Sequence, residues 1–351
     1  MSNLPDFDGL LNWDKLQRWI DGNELPGSGP VTTAQRLEGG SQNNVFLMER
    51  GGERFVLRRP PRHPRANSDE TMLREARLLK ALRGSAVPHP RFFAACDDKS
   101  ILGTCFYAME ALEGFSPVGP LPGRYATEPG WRRAMGGEMV RAAVALAAID
   151  HRAVGLSDFG KPDAWHARQV ERWRSQLEGY RNFKGYAGPE LPHVDEIGRW
   201  LGENLPKDRR IGVIHGDFQY PNAMYSMAAP RITGLIDWEL ATLGDPLLDL
   251  GFLLQGWFES GDTKKPVVTP WDDAFMKRAE LIDLYGRLSG RDMSEIAWFH
   301  VLACYKLGVV LEGTYARAHA GQASMEIGRG LHNYTINLFS SAKRLISEGT
   351  S

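Results

Sequence analysis

Length, composition and charge set the first limits on what this chain does. It has 351 residues, with 42 Lys and Arg against 43 Asp and Glu, and a formal net charge of −1. A chain of this length fits one large or two modest domains with a sizeable core. The near-neutral balance argues against binding to nucleic acid or to a membrane surface. We therefore expect neither partner, and the composition leaves the oligomeric state open.

The cysteines and the apolar patterning indicate a compartment. Cys96, Cys105 and Cys304 show no paired metal spacing, and their odd number leaves at least one unpaired. Structural thiols in a reducing compartment are the default for such usage. No basic start followed by an apolar stretch occurs, and no apolar run is long enough to span a bilayer. We expect a cytoplasmic protein.

The N-terminal third of the chain predicts a small antiparallel β lobe. A short amphipathic helix is expected at Asn12–Ile20, and a second helix from Ser68 to Leu82, with a cap-like Ser and acids in its first turn. The remaining segments alternate in the manner of strands. Two strands around a tight turn are expected within residues 36–48, and further strands at Glu53–Arg58, Arg91–Ala95 and Thr104–Glu110.

Beyond Gly114 the pattern becomes helical. Two strand-like runs, Ile211–Ile214 and Arg231–Ile236, interrupt it. We predict an α+β fold, with a small antiparallel lobe at residues 1–110 and a larger, mainly α lobe at 111–351. The predicted helices of the second lobe are Trp131–Asp150, Trp165–Tyr180, Val194–Asn204, Ala274–Ser289, Met293–Ala318 and Ile327–Ile346.

The residues that point to chemistry lie between Ile214 and Glu239. Asp217 and Asn222 share one loop, and Asp237 ends the strand-like run that follows. A carboxylate on such a loop can orient and deprotonate an attacking hydroxyl, while an amide oxygen and a second carboxylate can hold Mg²⁺ against nucleotide phosphates. Turn-forming Asp and Asn are the alternative interpretation. The ordered set favours a site for a metal-bound nucleotide.

This ordered set resembles the aminoglycoside phosphotransferase and choline kinase-like family, which has the protein-kinase-like fold. The family pattern is His-Gly-Asp, four residues, Asn, and then Ile-Asp-Trp, found here at residues 215–217, 222 and 236–238. The resemblance extends from about Ala34 to about Tyr334, and it looks strongest for the branch fused to acyl-CoA dehydrogenases in some organisms. It implies a bilobal fold, ATP and Mg²⁺ as cofactors, Asp217 as general base, and Asn222 and Asp237 as metal ligands.

The resemblance also assigns the loop over the nucleotide phosphates. Its residues are Gly39, Gly40, Ser41, Gln42 and Asn43. Glycine lets backbone amides approach phosphate oxygens closely. A plain Gly-Gly hairpin is the alternative, and the sequence leaves open whether Ser41 and Gln42 touch phosphate or only close a turn.

Arg58 is a departure from the family pattern. Kinase-like folds usually place Lys there, paired with the phosphates and with a helix Glu that Glu75 matches here. Arginine is a permanent cation that can bind phosphate, so the role can survive. Arg59 is an alternative partner on the opposite strand face. Glu110 and Leu112 resemble the hinge, whose backbone would bind the adenine, so ATP and GTP are not distinguished.

The remaining polar residues of the motif are expected to support the loop. Asp245 and Asp249 match acids that mainly brace the catalytic loop in the family, so we leave both out of the catalytic set. His215 is expected to be structural. Many relatives carry His where Ala147 stands, a difference that we expect to affect packing rather than activity.

The acceptor is expected to bind between Asp217 and the C-terminal helices. That region is rich in aromatic residues, most of which we expect in the core. Polycationic aminoglycosides need clustered acids, which do not dominate there. The branch resemblance, with branch-specific segments at 154–162 and 168–173, points instead to a hydroxyacyl acceptor, free or carried on CoA. Lys306 and Arg317 could meet an acidic group, or could equally be surface charges.

We therefore predict a phosphotransferase that uses ATP and Mg²⁺ and acts on a hydroxyl of a small molecule. A catalytically silent, nucleotide-binding pseudokinase is the main alternative, and only Arg58 favours it. A protein kinase is disfavoured, because Gly244-Asp245-Pro246 begins only seven residues after Asp237 and leaves little room for an activation segment. A scaffolding protein has no need for the full set of metal-binding residues.

Overall fold

The residues that the structure describes form one five-stranded antiparallel sheet, two small two-stranded sheets and a series of helices. The computed structural model describes residues 4–37, 43–63, 67–259 and 272–349. The strands are β1 (Val31–Leu37), β2 (Asn44–Arg50), β3 (Glu53–Arg59), β4 (Phe92–Cys96), β5 (Phe106–Glu110), β6 (Gly212–Ile214), β7 (Ala223–Tyr225), β8 (Ile232–Leu235) and β9 (Thr242–Gly244).

Helices lie on both sides of the small strands β6 to β9 in the sequence. In chain order they are α1 (Trp13–Asp21), α2 (Ser68–Ala81), α3 (Lys99–Leu102), α4 (Gly123–Thr127), α5 (Pro129–Ala147), α6 (Trp165–Gly179), α7 (Val194–Glu203), α8 (Leu247–Gln255), α9 (Arg278–Ser289), α10 (Ile296–His319) and α11 (Met325–Gly349).

The chain divides into two compact units. The first comprises Met1–Ser116, Arg152–Leu156 and Ala223–Ala241, and the second comprises Pro117–His151, Ser157–Asn222 and Thr242–Ser351. The pair β7–β8 thus belongs to the first unit, and the pair β6–β9 to the second.

The first unit is built on the sheet with strand order β1-β2-β3-β5-β4. Antiparallel pairing places Arg58 of β3 between Val45 of β2 and Tyr107 of β5. Side chains alternate between the two faces of a strand, so Arg58 and Arg59 point to opposite faces. One face covers an apolar core that includes Phe46, Leu57 and residues of α1.

The second unit is mainly helical, and its most buried elements carry little amphipathic pattern. Every residue of α8 is buried, which explains why periodicity did not predict this helix. Helix α10 is long and apolar enough to cross a membrane by length and composition, but 72% of the relevant window is buried inside the fold. It is thus a core helix of this unit.

Several predicted boundaries differ from the structure. The helix expected from Ser68 begins there, but Asn67 holds the N-cap position and makes no side-chain capping bond. The helix expected to reach Asp150 ends at Ala147, and the one expected from Ala274 begins at Arg278. Strands β7 and β9 and helices α3 and α4 were not predicted, because segments of three to five residues are too short to show periodicity.

Candidate active site

Arg58 is held between two carboxylates in the first unit. Its Nε lies 3.0 Å from Glu75 Oε2, and its terminal nitrogen lies 3.1 Å from Asp237 Oδ1. The side chains of Arg58 and Glu75 are 11% and 2% exposed. Tyr107 donates its hydroxyl to Glu75 at 2.9 Å. Glu75 is therefore no solvated acid on a helix face, but the buried partner of Arg58.

The electrostatics keep this guanidinium charged. Burial acts to lower the pKa of Arg58, but Glu75, Tyr107 and Asp237 outweigh it and raise the pKa above its ordinary value. Burial and the neighbouring Glu75 carboxylate raise the pKa of Tyr107 well above its usual range. The phenol thus remains a neutral donor, and Arg58 remains a fixed cation next to Asp237.

Asp237 is presented to solvent by an unusual backbone. It follows β8 with φ 63° and ψ 60°, the left-handed region that Asp tolerates better than most side chains. The indole nitrogen of Trp238 donates to the carbonyl of Leu235 at 2.9 Å and fixes this turn. The Asp237 side chain is 42% exposed. A strained, exposed carboxylate beside a fixed cation is typical of a ligand-binding position.

The predicted phosphate loop is described only at its end. Gly39, Gly40, Ser41 and Gln42 lie outside the described residues. Asn43 donates from Nδ2 to Glu239 Oε2 at 3.5 Å, close to Asp237 in sequence.

The alternative that Arg59 takes the role of Arg58 is wrong. Arg59 is buried on the other face of β3, where it donates to the carbonyl of Leu10. It is therefore committed to holding the N-terminal segment of the first unit.

The predicted hinge follows β5. The Glu110 amide donates to the carbonyl of Arg91 at 2.8 Å, and its carboxylate accepts from the Arg91 amide at 3.0 Å. Leu112 packs on Gly234 of β8, where an added Cβ would lie 2.5 Å from the Leu112 side chain. Within the described residues the Leu112 backbone has no hydrogen-bond partner. Its amide and carbonyl are therefore available to a nucleotide base.

In the second unit, Asp249 fixes the start of the catalytic loop. Its buried carboxylate accepts from the amides of His215 at 2.7 Å and Gly216 at 3.0 Å. Gly216 has φ 81°, which only glycine adopts at little cost. Burial raises the pKa of Asp249. The prediction that Asp249 braces this loop is confirmed.

Two amide side chains orient Asp217. Gln219 donates from Nε2 to Asp217 Oδ1. Asn222 donates from Nδ2 to Asp217 Oδ2 and to the Asp217 carbonyl, both at 2.9 Å. Because the Asn222 nitrogen is occupied in this way, its oxygen is left without a hydrogen bond among the described residues. That oxygen suits a hard cation.

Gln219 in turn accepts a hydrogen bond from a side chain of α8, a contact that the sequence analysis did not predict. Gln255, at the end of α8, donates to Gln219 Oε1 at 3.4 Å, and the Tyr334 hydroxyl of α11 donates to Gln255 Oε1 at 3.4 Å. This chain of side chains connects α11 to the carboxylate of Asp217.

Lys306 of α10 was predicted either to meet an acidic group of the acceptor or to be a surface charge, and its contact with the catalytic loop was not predicted. Its side chain is 7% exposed, and Nζ donates to the Gly216 carbonyl at 2.6 Å. The interpretation of Lys306 as a surface charge is wrong. Nothing in the pattern of α10 distinguishes a buried lysine from an exposed one, so only the fold reveals this contact.

Asp245 braces a neighbouring segment rather than the loop itself. It is fully buried and accepts from His166 Nε2 at 2.8 Å, from Arg291 at 2.9 Å and from the amide of Arg210 at 3.2 Å. Burial alone would raise its pKa, but His166 and Arg291 outweigh it and hold the pKa below its usual value. Asp245 thus stays ionised and links α6 to the segments before β6 and α10.

The proposed metal ligands are two hard oxygen donors, Asn222 and Asp237. Within the described residues no group of three or more His, Cys, Asp or Glu side chains is arranged for a metal ion. Magnesium keeps several of its waters, so it does not require an all-protein cage. Each of these two oxygen donors, taken by itself, suits Mg²⁺ better than zinc or another metal that prefers softer ligands.

The matches to known families decide the identity of the fold. A family model described as the phosphotransferase enzyme family matches residues 33–299. The chain belongs to this phosphotransferase family. The matched span includes Arg58, Glu75, Asp217, Asn222 and Asp237, whereas Lys306 and Tyr334 lie beyond it.

Curated relatives of this phosphotransferase are acyl-CoA dehydrogenase family members. It is 28% identical over 322 residues to member 10 of Mus musculus and 30% identical over 319 residues to member 11 of Rattus norvegicus. It is also 30% identical over 303 residues to a probable acyl-CoA dehydrogenase, IBR3, of Arabidopsis thaliana. These matches cover 89%, 86% and 81% of the chain, but only 29%, 39% and 36% of the relatives. The predicted resemblance to this branch is confirmed.

Solved structures show the same fold. A Ralstonia eutropha protein, provisionally assigned as an aminoglycoside phosphotransferase, superposes with a TM-score of 0.78 at 25% identity, over 95% of this chain and 98% of that one. The GDP and kanamycin complex of APH(2")-IIIa gives a TM-score of 0.61 at 15% identity, over 90% of this chain and 95% of that one. The predicted α+β, protein-kinase-like fold is confirmed.

The aromatic residues of the C-terminal helices are mostly core, as expected. Arg317, which was named with Lys306 as a candidate to meet an acidic group, donates to Thr314 Oγ1 at 2.7 Å and is half-buried. Trp271 lies outside the described residues, and Phe258 and Tyr315 are half-buried. The fully buried members are Phe252, Trp257, Phe275, Trp298, Phe299 and Tyr305.

Proposed function

We propose that this protein transfers the γ-phosphate of ATP, with Mg²⁺, to a hydroxyl of a small molecule. The observation that carries the proposal is the environment of Asp217. Its carboxylate is oriented by Gln219 and Asn222, and the loop is fixed by Asp249 and Lys306. A general base must be held within reach of the proton that it accepts, and this loop provides such an orientation.

In the proposed reaction Asp217 accepts the proton of the acceptor hydroxyl. The acceptor oxygen forms a bond to the γ-phosphorus while the bond from that phosphorus to the β-phosphate oxygen breaks, and ADP leaves. Arg58 is proposed to bind the phosphates, with Glu75 holding it and residues 39–43 covering them. The backbone of Glu110 and Leu112 is proposed to bind the base. Asn222 and Asp237 would hold Mg²⁺, which when bound neutralises phosphate charge.

A hydroxyacyl compound, free or carried on CoA, is the proposed acceptor. The argument is the similarity to relatives named as acyl-CoA dehydrogenases, which the chain matches over 81–89% of its own length. An aminoglycoside is the second candidate, because kanamycin and hygromycin B are bound by proteins of the same fold. We further propose a cytoplasmic location, in line with three free, buried cysteines.

The pseudokinase alternative rests on arginine replacing lysine at position 58. The geometry favours an active enzyme, because Arg58 makes the ion pair with Glu75 and also contacts Asp237. A guanidinium at this position retains the positive charge that phosphate binding needs.

The test is magnesium-dependent ADP release against a panel of hydroxyacyl-CoAs, free hydroxy acids, aminoglycosides and choline-like alcohols. Asp217→Asn is expected to lower kcat by at least about 100-fold, since a positioned base contributes roughly 10²–10⁴-fold. The matched control is Asp283→Asn, which alters an exposed pair with Arg287. Equal turnover by the wild type and Asp217→Asn would exclude Asp217 as the base. ATP binding without turnover on any acceptor would favour the pseudokinase.

A further inference from the structure

Two cationic side chains, Arg172 and Lys306, lie over the indole ring of Trp173 on α6. The guanidinium carbon of Arg172 lies 4.7 Å from the ring centroid, and Lys306 Nζ lies 5.6 Å from the same centroid. The two charges are therefore within about 10 Å of each other. Both distances are in the range of attractive cation–π contacts. A pair of positive charges thus lies beside the loop that carries Asp217.

Lys306 is the inner member of this pair. It is buried, it donates to the Gly216 carbonyl at 2.6 Å, and it lies 4.6 Å from the ring centroid of Phe252. It is not available to a ligand in the way that an exposed residue is. It fixes the position of the positive pair relative to the residue that precedes Asp217.

Arg172 is the outer member, and it differs from its neighbours on α6. Arg168 donates to the carbonyls of Asp163 and Lys161, and Arg174 pairs with Asp195. Arg172 is exposed, and among the described residues no carboxylate or carbonyl accepts a hydrogen bond from its guanidinium. A guanidinium has five donors in a planar fork that matches carboxylate and phosphate groups.

We propose that Arg172 anchors an anionic group of the acceptor, a carboxylate or a phosphate, while the acceptor hydroxyl faces Asp217. The proposal rests on the phosphotransferase function proposed above and narrows its substrate class. Lys306 adds a second positive charge behind the anchor, which favours anions and disfavours polycations at this place. The oxyanion belongs either to the free carboxylate of a hydroxy acid or to the phosphates of its CoA carrier.

The experiment measures kcat/KM for each accepted straight-chain hydroxy acid in four forms. These are the free acid, its methyl ester, its CoA thioester and its N-acetylcysteamine thioester, the last of which lacks phosphates. The wild type is expected to prefer an anionic form over its uncharged counterpart by about 10- to 100-fold, the size of one charge-assisted hydrogen bond. Preference for the free acid over the ester identifies a carboxylate. Preference for the CoA over the N-acetylcysteamine thioester identifies a phosphate.

Arg172→Gln is expected to remove this preference, and Arg172→Lys to retain part of it. Arg174→Gln, on the same helix, is the matched control and should keep the full preference, since Arg174 pairs with Asp195. Circular dichroism and the Tm of each variant report on folding. A wild type that turns over charged and uncharged acceptors equally, or an Arg172→Gln variant that keeps the preference, overturns the inference but leaves the phosphotransferase proposal standing. Absence of magnesium-dependent transfer by the wild type removes both.

Discussion

Lys306 Nζ lies 2.6 Å from the carbonyl oxygen of Gly216, the residue immediately before Asp217. The lysine is buried, and its ammonium lies over the rings of Phe252 and Trp173. Burial lowers the pKa of Lys306 to about 8, while the nearby carboxylates of Asp217 and Asp249 act to raise it. Helix α10 thus contributes a buried positive charge to the same loop that Asp249 of α8 holds through backbone amides.

This burial predicts a specific pH dependence of stability. The pKa of Lys306 is about 8 in the folded chain and 10.5 in an unperturbed lysine. Between these values the unfolded chain holds a proton that the folded chain has released, so the free energy of unfolding rises with pH in that window. The increase is up to about 3 kcal/mol. Below pH 8 both states are protonated, and the contribution is constant.

Urea unfolding of the wild type and Lys306→Met from pH 7 to pH 11 checks this prediction. The wild type should gain stability relative to the variant as pH rises through the window, because methionine does not titrate. Lys343→Met is the control, since Lys343 makes a partly exposed pair with Glu196. The free energy of unfolding of Lys343→Met should differ little from that of the wild type at neutral pH, because exposed pairs contribute about 0–1 kcal/mol. If the free energies of unfolding of the wild type and Lys306→Met change with pH in the same way, the prediction that burial lowers the pKa of Lys306 is wrong.

Arg58 and Glu75 should behave as one unit in folding. Arg58→Met leaves the Glu75 carboxylate, which is 2% exposed, with the Tyr107 hydroxyl as its remaining side-chain donor among the described residues. Removing one partner of a buried pair costs about 3–5 kcal/mol. Replacing both should cost less than the two single changes together, because no buried charge is left uncompensated. Denaturant midpoints of Arg58→Met, Glu75→Gln and the double variant measure the coupling, and additive effects would argue against it.

The sequence predicted the functional residues that follow a motif, and missed contacts that depend on packing. Arg58, Glu75 and Asp237 were identified because each matches a position of the family pattern, and the structure brings these three together. The roles of Gln219 and Lys306 in holding the catalytic loop were missed, because an amide in a loop and a lysine in an apolar helix carry no spacing signal. Both side chains take part in contacts between elements distant in sequence, because Gln255 of α8 holds Gln219 and Lys306 of α10 donates to Gly216.

The helices and strands also divide into those that the sequence pattern predicted and those that it missed. Strands β2 to β5 and α2 were predicted from alternation and turn residues, whereas β1 begins at Val31, five residues before the segment in which it was expected. Helix α8 was missed although it carries Asp249, since all nine of its residues are buried and no polar face marks its period. Core elements of this kind are specified by their surroundings rather than by their own pattern.

The pair of Arg291 and Asp245 should be essential for the stability of the second unit. Arg291→Met leaves a fully buried Asp245 with His166 as its remaining side-chain partner, which should cost about 3–5 kcal/mol at neutral pH. Asp245 has a lowered pKa, so its favourable contribution is present above the usual value of 3.8 and is lost as pH falls through the lower folded value. The difference in the free energy of unfolding between the wild type and Arg291→Met should therefore become smaller below pH 3.8.

Arg287→Met provides the matched control for Arg291→Met. Arg287 pairs with Asp283 at 2.9 Å, but the two side chains are 67% and 64% exposed. Such pairs contribute roughly 0–1 kcal/mol. Chemical denaturation of both variants at pH 7 and at about pH 3, below the usual value of 3.8, makes the comparison. Similar losses for the two arginines would show that the burial of Asp245 has no special effect.

Gly251 should be irreplaceable because α8 and α10 approach each other at that residue. A Cβ on Gly251 would lie 2.5 Å from the carbonyl oxygen of Phe299 and 2.7 Å from its carbonyl carbon. These are backbone atoms of α10, so the two helices must move apart to admit a methyl group. Overpacking of this kind costs about 1–3 kcal/mol.

The same displacement should reach the catalytic loop, because α8 carries Asp249 and α10 carries Lys306, which hold it. Gly251→Ala is therefore expected to lower both the Tm and kcat. Gly202→Ala in α7 is the matched control, since nothing lies within 4 Å of its added Cβ, and it should stabilise the fold by about 0.5–1 kcal/mol. Calorimetry and turnover measurements on both variants decide the point. If Gly251→Ala is stabilised as Gly202→Ala is, the close approach of α8 and α10 does not exist in solution.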